Sequence, residues 1–397
     1  MEYKLLSSIY YENKNEYDEL YNNRYNSENC IHLDFKIHDN DAFYCISAPL
    51  HELYIKTLEL NMRVQDLIKN LPNVALRQFA KDSLIDEIVL TNNIEGVHST
   101  RREIDGVLKS LESGNKKKRF FGLVNKYHMI SKEQISLNTC ADIRRIYDEL
   151  VRNEVEADDP TNLPDGTVFR KDLAEVTSQT GKVIHKGVYP EKEIISSMDK
   201  ALTILNGSRP AIERIAIFHY LFGYIHPFYD GNGRVSRFIS SYLLSEKLSN
   251  DLIGYRLSYT IKENISNYYK AFKICNDEKN KGDITPFIVV FMDIIYKSIE
   301  NLYVALCKRW EALIKYTSKM EKIECFSNKA LNSLAYVLIQ ARLFSENGIT
   351  KTELAKNLEI SSSTLNNRLD IIRKKGYVTE KTIGHSLYFE FNLDTLE

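Results

Sequence analysis

The chain has no long apolar run, no cysteine pairing pattern and almost no net charge, and each absence removes a class of function. No stretch reaches the length of a membrane span. The amino terminus, Met1 to Tyr10, carries Glu2 and Lys4 but no apolar core of a secretory signal. A soluble, cytoplasmic protein with no membrane partner is the expectation. The six cysteines (Cys30, Cys45, Cys140, Cys275, Cys307 and Cys325) are scattered without a C-x-x-C spacing. They fit neither a zinc knuckle nor a disulfide scaffold, and reduced thiols suit the same compartment. The formal net charge is -1, with 53 Lys and Arg against 54 Asp and Glu. Such a balance gives no global pull toward nucleic acid or an anionic surface, so only local patches argue for those partners. A length of 397 residues predicts two or three domains.

What the chain does have is concentrated in His226-Pro-Phe-Tyr-Asp-Gly-Asn-Gly-Arg-Val-Ser-Arg237. His226 titrates near neutral pH and is a candidate general base for a hydroxyl. Asp230 is a hard oxygen ligand of the kind Mg²⁺ accepts beside substrate phosphates. Gly231 and Gly233 flank Asn232, so the backbone turns sharply and aims its N–H groups at an anion. From Arg234 onward Val235, Phe238, Ile239, Tyr242 and Leu243 recur at helical spacing, which places the nest on a helix N-terminus that favours phosphate. Arg234 and Arg237 lie one turn apart and each suits a further phosphate. An ordinary Gly-Asn-Gly turn needs neither the aspartate nor the paired arginines.

These residues match every position of the Fic-domain signature, H-x-F-x-[DE]-G-N-G-R-x-x-R, and the chain resembles that family over roughly residues 50 to 300. The resemblance implies a mainly α fold, a Fic-type helical bundle with a short β-hairpin flap. It implies transfer of AMP from ATP to a Ser, Thr or Tyr hydroxyl of a protein, with the chain itself among the targets. His226 would deprotonate that hydroxyl, Asp230 would hold Mg²⁺, and Phe228 would be a buried anchor. ATP would lie on Gly231, Asn232, Gly233, Arg234, Val235, Ser236 and Arg237, with Arg234 toward the β-phosphate and Arg237 toward the γ-phosphate. Self-association is frequent in the family, so the resemblance leaves a homo-oligomer open.

Upstream, Phe79, Leu84, Ile85, Ile88 and Val89 make one helical face that closes at Thr91-Asn-Asn-Ile-Glu95-Gly96, where Gly96 is a helix stop. Thr91 to Gly96 resembles the family's inhibitory motif, [ST]-x-x-x-E-[GN]. The resemblance pairs Glu95 with Arg237, and a guanidinium held bidentately by a carboxylate cannot also receive a γ-phosphate. Thr100-Arg-Arg-Glu103 resembles a capping box, and Lys116-Lys-Lys-Arg119 reads as a solvated basic loop. From Val176 to Pro190, Thr, Val, Ile and Tyr around Gly181 and Gly187 favour a hairpin. In the family this is the flap that docks the target by strand pairing, at Lys182 to Val188 here. His219 reads as a packed helix histidine, and Tyr269 as the aromatic bordering the nucleotide base. The helix opened by Thr285 and Pro286 closes the core near residue 320.

The sequence thus divides into an amino-terminal region with an inhibitory helix (1–110), a Fic core (111–320) and a carboxyl-terminal module (328–397). In that module, a short helix from Ile349 to Leu358, a turn, a helix from Ser362 to Lys375 and two alternating strands around Gly384 look like a small winged helix-turn-helix. Ser363, Thr364, Asn366, Asn367, Arg368 and Lys374 would face DNA. Acidic and basic residues nearly cancel there, whereas DNA binders usually show a basic footprint. Two alternatives to the transferase stay open. One is a DNA-binding regulator whose Fic domain senses nucleotide or modifies itself. The other is an enzyme that removes AMP, with Glu95 orienting a water.

Overall fold

A computed structural model describes residues 3–111, 118–177, 183–384 and 386–397. The structure is mainly helical, with three small antiparallel sheets among the described residues. Two compact units divide it: Met1–Asn61 with Ile85–Ile299, and Met62–Leu84 with Glu300–Glu397. No helix among the described residues is long and apolar enough to cross a membrane.

In the first unit, helices α1 (Leu6–Glu12) and α2 (Lys14–Tyr25) precede a hairpin of β1 (Cys30–Ile37) and β2 (Asn40–Cys45). Asn13 caps α2 by accepting from the amides of Asn15 and Glu16. Helices α3 (Ala48–Asn70) and α4 (Asn73–Ile94) follow, of which residues up to Asn61 and from Ile85 belong to this unit, and α4 carries Glu95 at its end. Then come α5 (Arg101–Leu111), α6 (Phe121–His128), α7 (Cys140–Leu150) and α8 (Arg152–Asp158). Thr100 accepts from the Glu103 amide at the start of α5, as the sequence suggests. The flap strands β3 (Glu175–Thr177) and β4 (Val183–Lys186) pair antiparallel, with Val176 opposite His185. The tip between them, with Lys182, lies outside the described residues.

Helices α9 (Glu191–Leu205) and α10 (Ala211–Ile225) lead to α11 (Asn232–Lys247), followed by α12 (Asp251–Gly254), α13 (Leu257–Glu263) and α14 (Ile265–Cys275). Helix α10 buries Ile212, Ile215, Ala216, Ile217, Phe218, Tyr220, Leu221, Phe222, Tyr224 and Ile225, so it is apolar nearly all round and runs through the core. Helix α15 (Thr285–Met320) opens where the sequence expects and begins in this unit. Its Phe287 and Phe291 close an aromatic cluster with Tyr220, Tyr268 and Phe272. Burying such rings supplies much of a core's apolar area.

The second unit contains α16 (Lys329–Phe344), β5 (Ile349–Thr350), α17 (Lys351–Leu358), α18 (Ser362–Lys374), β6 (Val378–Ile383) and β7 (Ser386–Phe391), in the sheet order β5-β7-β6. Thr350 and Glu353 form a reciprocal capping box at α17, and Ser361 caps α18. Leu365, Leu369 and Ile372 turn inward, while Ser363, Asn366, Asn367 and Lys374 face solvent. His385, in the turn between β6 and β7, lies outside the described residues.

Candidate functional site

Helix α10 stops at His226 because Pro227 has no amide to continue it and disfavours a helical residue before it. His226 adopts the left-handed conformation, φ 52°, and still donates its amide to the Phe222 carbonyl at 2.9 Å. A non-glycine residue holds such a conformation only where its surroundings fix it. Arg170 does much of that fixing. Fully buried, its guanidinium donates from Nε to the His226 carbonyl at 2.9 Å, and from Nη2 to the carbonyls of Val188 at 2.8 Å and Ile225 at 3.4 Å. The Val188 amide donates to the Ile225 carbonyl, so the chain leaving the flap is tied to the same loop. Gly187 permits this approach, since a Cβ there would lie 3.0 Å from the His226 Cβ and overlap Arg170. Burial, then His185 and Arg170, pull the His226 pKa down from 6.5 to about 3. The imidazole is therefore neutral at physiological pH, the form that can accept a proton.

Asn232 starts α11, two residues ahead of the sequence expectation, with Gly231 as N-cap in the left-handed region, φ 83°. Its side chain is committed to the loop. Oδ1 accepts from the Phe228 amide at 2.9 Å and Nδ2 donates to the Phe228 carbonyl at 2.7 Å. Phe228 is fully buried and stacks on Tyr147 at 4.0 Å between centroids. Val235 is in the core, and Ser236 is buried along the cleft. Arg234 is buried and its Nη2 lies 3.3 Å from an Asp230 oxygen, whereas the Asp230 side chain stays 36% exposed. One open carboxylate fits a Mg²⁺ that takes its remaining ligands from water and phosphates. Among the described residues no group of three or more His, Cys, Asp or Glu could hold a metal without substrate.

Helix α4 brings the remaining residue. It ends in a Schellman motif: the Val97 amide donates to the Asn92 carbonyl, the Gly96 amide to the Asn93 carbonyl, and Gly96 has φ 74°. The Glu95 amide turns to Asn92 as well, leaving the Thr91 carbonyl without its helical partner. Arg237 fills that vacancy. Its Nη2 donates to the Thr91 carbonyl at 2.9 Å, Nε to the Thr91 hydroxyl at 2.8 Å and Nη1 to Glu95 Oε1 at 2.8 Å. The bidentate carboxylate pairing of the sequence reading is thus replaced by a single charged bond plus two bonds to Thr91. The reason is the freed carbonyl, which with the helix dipole offers a guanidinium a second negative pole. The Glu95 carboxylate also presses on Gly233, where an added Cβ would overlap it. It sits on Gly233 of the Gly231–Gly233 turn.

The cleft that results has a volume of about 160 Å³. Glu95, His226, Gly233, Arg237 and Tyr269 line it, with the flap's Ile184 on one side. Tyr269 is 44% exposed, and Lys273, one turn farther along α14, and Asn276, just past its end, line the same wall. A larger cavity of about 450 Å³ near Ser136, Asn206, Arg214 and Tyr242 contains none of these residues. Of the basic run, Lys116 and Lys117 lie outside the described residues. Lys118 and Arg119 donate to the carbonyls of Gly106 and His98, so they are spent on local loops.

The sequence reading missed the parts played by four residues. Arg170 was visible only as part of Phe169-Arg-Lys-Asp, since an arginine that serves carbonyls leaves no acidic partner to find. Thr91 carried a signal, its place four residues before Glu95. Lys273 and Asn276 follow Tyr269 at helical spacing and could have been read from it.

Residues 137–244 match the model of the Fic/DOC family, a span that contains the flap, α10 and the whole His226–Arg237 stretch. Proteins called protein adenylyltransferase Fic in Drosophila ananassae and Drosophila mojavensis are 29% and 30% identical to this chain over 241 residues, which is 57% of it and 43% of theirs. The chain spans less than half the length of these curated relatives. The crystal structure of a Fic family protein from Desulfovibrio desulfuricans shares the fold, with a TM-score of 0.51 over 88% of this chain and 97% of that one at 16% identity.

Proposed function

We propose that this chain, which matches the Fic/DOC family over residues 137–244, is an auto-inhibited protein adenylyltransferase. The observation that carries the reading is the Glu95 carboxylate. It lies on Arg237 and against Gly233, in the anion nest beside a neutral histidine. A nest that needs a carboxylate stopper is a nest built for an anion. The name of the Drosophila relatives supports AMP as the group transferred.

In the proposed reaction a Ser, Thr or Tyr hydroxyl of a target protein loses its proton to His226, and its oxygen bonds to the α-phosphorus of ATP. The bond from that phosphorus to the bridging oxygen breaks, and pyrophosphate leaves. Arg170 holds His226 in place, and α11 offers its N-terminal amides to the phosphates. Arg237 receives the γ-phosphate once Glu95 has withdrawn. Mg²⁺, when bound, would sit on Asp230 and offset phosphate charge. Exposed Val183 and Ile184 on β4 give an extended target segment an edge to pair with, which suits strand addition.

The test is transfer of label from α-labelled ATP with Mg²⁺. Glu95→Gly is expected to label protein strongly, while wild type and Glu95→Gly/His226→Ala stay dark. Darkness in all three proteins, with ATP bound, would remove the transferase reading.

We further propose that residues 328–397 are a winged helix-turn-helix, on the evidence of α17, α18 and the β6–β7 hairpin. The exposed Ser363, Asn366 and Asn367 suit a groove, but Arg373 already pairs with Asp370 and Glu380. DNA binding by the full chain at low salt, lost in Asn366→Ala/Asn367→Ala, is the outcome that favours a DNA-binding role.

A further inference from the structure

The end of α10 leaves carbonyls that no helical amide reaches, and the flap side of the chain supplies two of their donors. In an unbroken helix the Tyr224 carbonyl would accept from the amide of residue 228, but the Phe228 amide donates to Asn232 instead. His185 of β4 takes that place, with Nε2 2.6 Å from the Tyr224 oxygen. A carbonyl only accepts, so Nε2 carries the hydrogen. The imidazole also packs on the Tyr224 ring, with 5.0 Å between centroids, and lines the cleft. The next carbonyl, that of Ile225, accepts from the Val188 amide at 3.0 Å, at the foot of the flap. Among the described strand residues, His185 alone hydrogen-bonds outside the hairpin. Lys186 turns back to Glu175 at 3.4 Å, and Val183 and Ile184 are exposed.

We infer that His185 is a positioning residue for the protein target: its Nε2–H pins β4 to the last turn of α10 and so sets the height of the flap's docking edge over His226. The inference rests on the proposed transferase reading and on strand addition at β4. Tyr224 lies two residues before His226, and Ile184 is the exposed neighbour of His185. One bond therefore links the edge that would hold the target to the turn that holds the base. Without it the flap keeps only its two feet, where the Asp172 amide donates to the Tyr229 hydroxyl and the Val188 amide to Ile225. An extended segment paired to an edge that swings on those feet brings its hydroxyl to His226 in a smaller share of encounters. ATP, on the proposed reading, is held by α11 and Arg237 and does not depend on this bond.

The experiment places His185→Phe and His185→Gln in a Glu95→Gly background and follows self-labelling from α-labelled ATP with Mg²⁺. Phenylalanine keeps a ring against Tyr224 but removes the N–H, whereas glutamine keeps a side-chain N–H donor. His185→Phe is expected to transfer about tenfold more slowly, the scale of one hydrogen bond, with the dissociation constant of ATP changed by less than about twofold. His185→Gln should recover most of the rate. Hydrogen exchange reads the anchoring without catalysis: the β4 amides should exchange faster in His185→Phe by a similar factor, and more slowly again in His185→Gln. Equal transfer rates in all three proteins, a glutamine variant as slow as the phenylalanine one, or ATP binding weakened as much as transfer overturns the inference and leaves the transferase reading intact. Exchange that His185→Phe leaves unchanged overturns it as well. A dark Glu95→Gly protein removes the transferase reading, and the inference with it.

Discussion

As the proposed base, His226 meets two demands that oppose each other. It must be buried enough to be positioned and free enough to take a proton. Burial with His185 and Arg170 nearby lowers its pKa to about 3, so protonation does not compete near neutrality. The acid limb of AMP transfer by Glu95→Gly is therefore expected well below pH 6.5, as read from the pH profile of kcat/KM. A limb near 6.5 would show an imidazole exposed to solvent. Gly233 offers a second residue-scale test. In Gly233→Ala the new methyl overlaps the Glu95 carboxylate and lies 2.9 Å from Arg237 Nη1, so it breaks the Glu95–Arg237 contact while occupying the proposed phosphate seat. Unlike Glu95→Gly, this variant is expected to stay inactive in the labelling assay, and overpacking should lower its stability by roughly 1–3 kcal/mol.

At the scale of elements, α4 presents Glu87, Thr91 and Glu95 on one face at successive turns, and the first is its anchor. The buried Glu87 carboxylate accepts from the Ser258 amide at 2.9 Å and the Ser258 hydroxyl at 2.6 Å, at the N-terminus of α13. Burial raises its pKa from 4.5 to about 7, against the lowering effect of Ser258, Arg237 and Arg256. A carboxyl raised in the fold favours the folded state below the unfolded pKa, and that contribution is lost as pH rises through the folded one. Wild type should therefore lose up to about 3 kcal/mol relative to Glu87→Gln between pH 4.5 and 8, on the order of 1.4 kcal/mol per pKa unit. Denaturant titrations at the two ends check it, and parallel curves would show that Glu87 stays charged.

Legibility followed the same scale. The His226–Arg237 stretch was readable because its groups lie within one loop and one helical turn, where residue type and spacing are the chemistry. Glu95 was readable only through its motif, since its partner is 142 residues away. The division of Arg237 between Thr91 and Glu95 was not, because it depends on which carbonyl the Schellman turn leaves free. The two amino-terminal helices also escaped, as α2 has little apolar periodicity and owes its start to the Asn13 cap.

For the whole molecule, the buried groups set the response to acid together. His219 and His226 are each lowered to about 3, while Glu87 is raised to about 7. Histidines lowered in the fold contribute stability above the unfolded pKa of about 6.5, and it is lost as pH falls toward the folded value. Between pH 6.5 and 4.5 unfolding lets two imidazoles take protons, while the folded chain alone protonates Glu87. Among these three groups, two protons less one leaves one in favour of the unfolded state, a contribution of roughly 1.4 kcal/mol per pH unit to the slope. Glu87→Gln removes the opposing proton, so its slope should be steeper than that of wild type by roughly 1.4 kcal/mol per pH unit over this range. Unfolding free energies at half-unit intervals measure both. A Glu87→Gln slope no steeper than that of wild type would mean that Glu87 takes up no proton in the fold over this range.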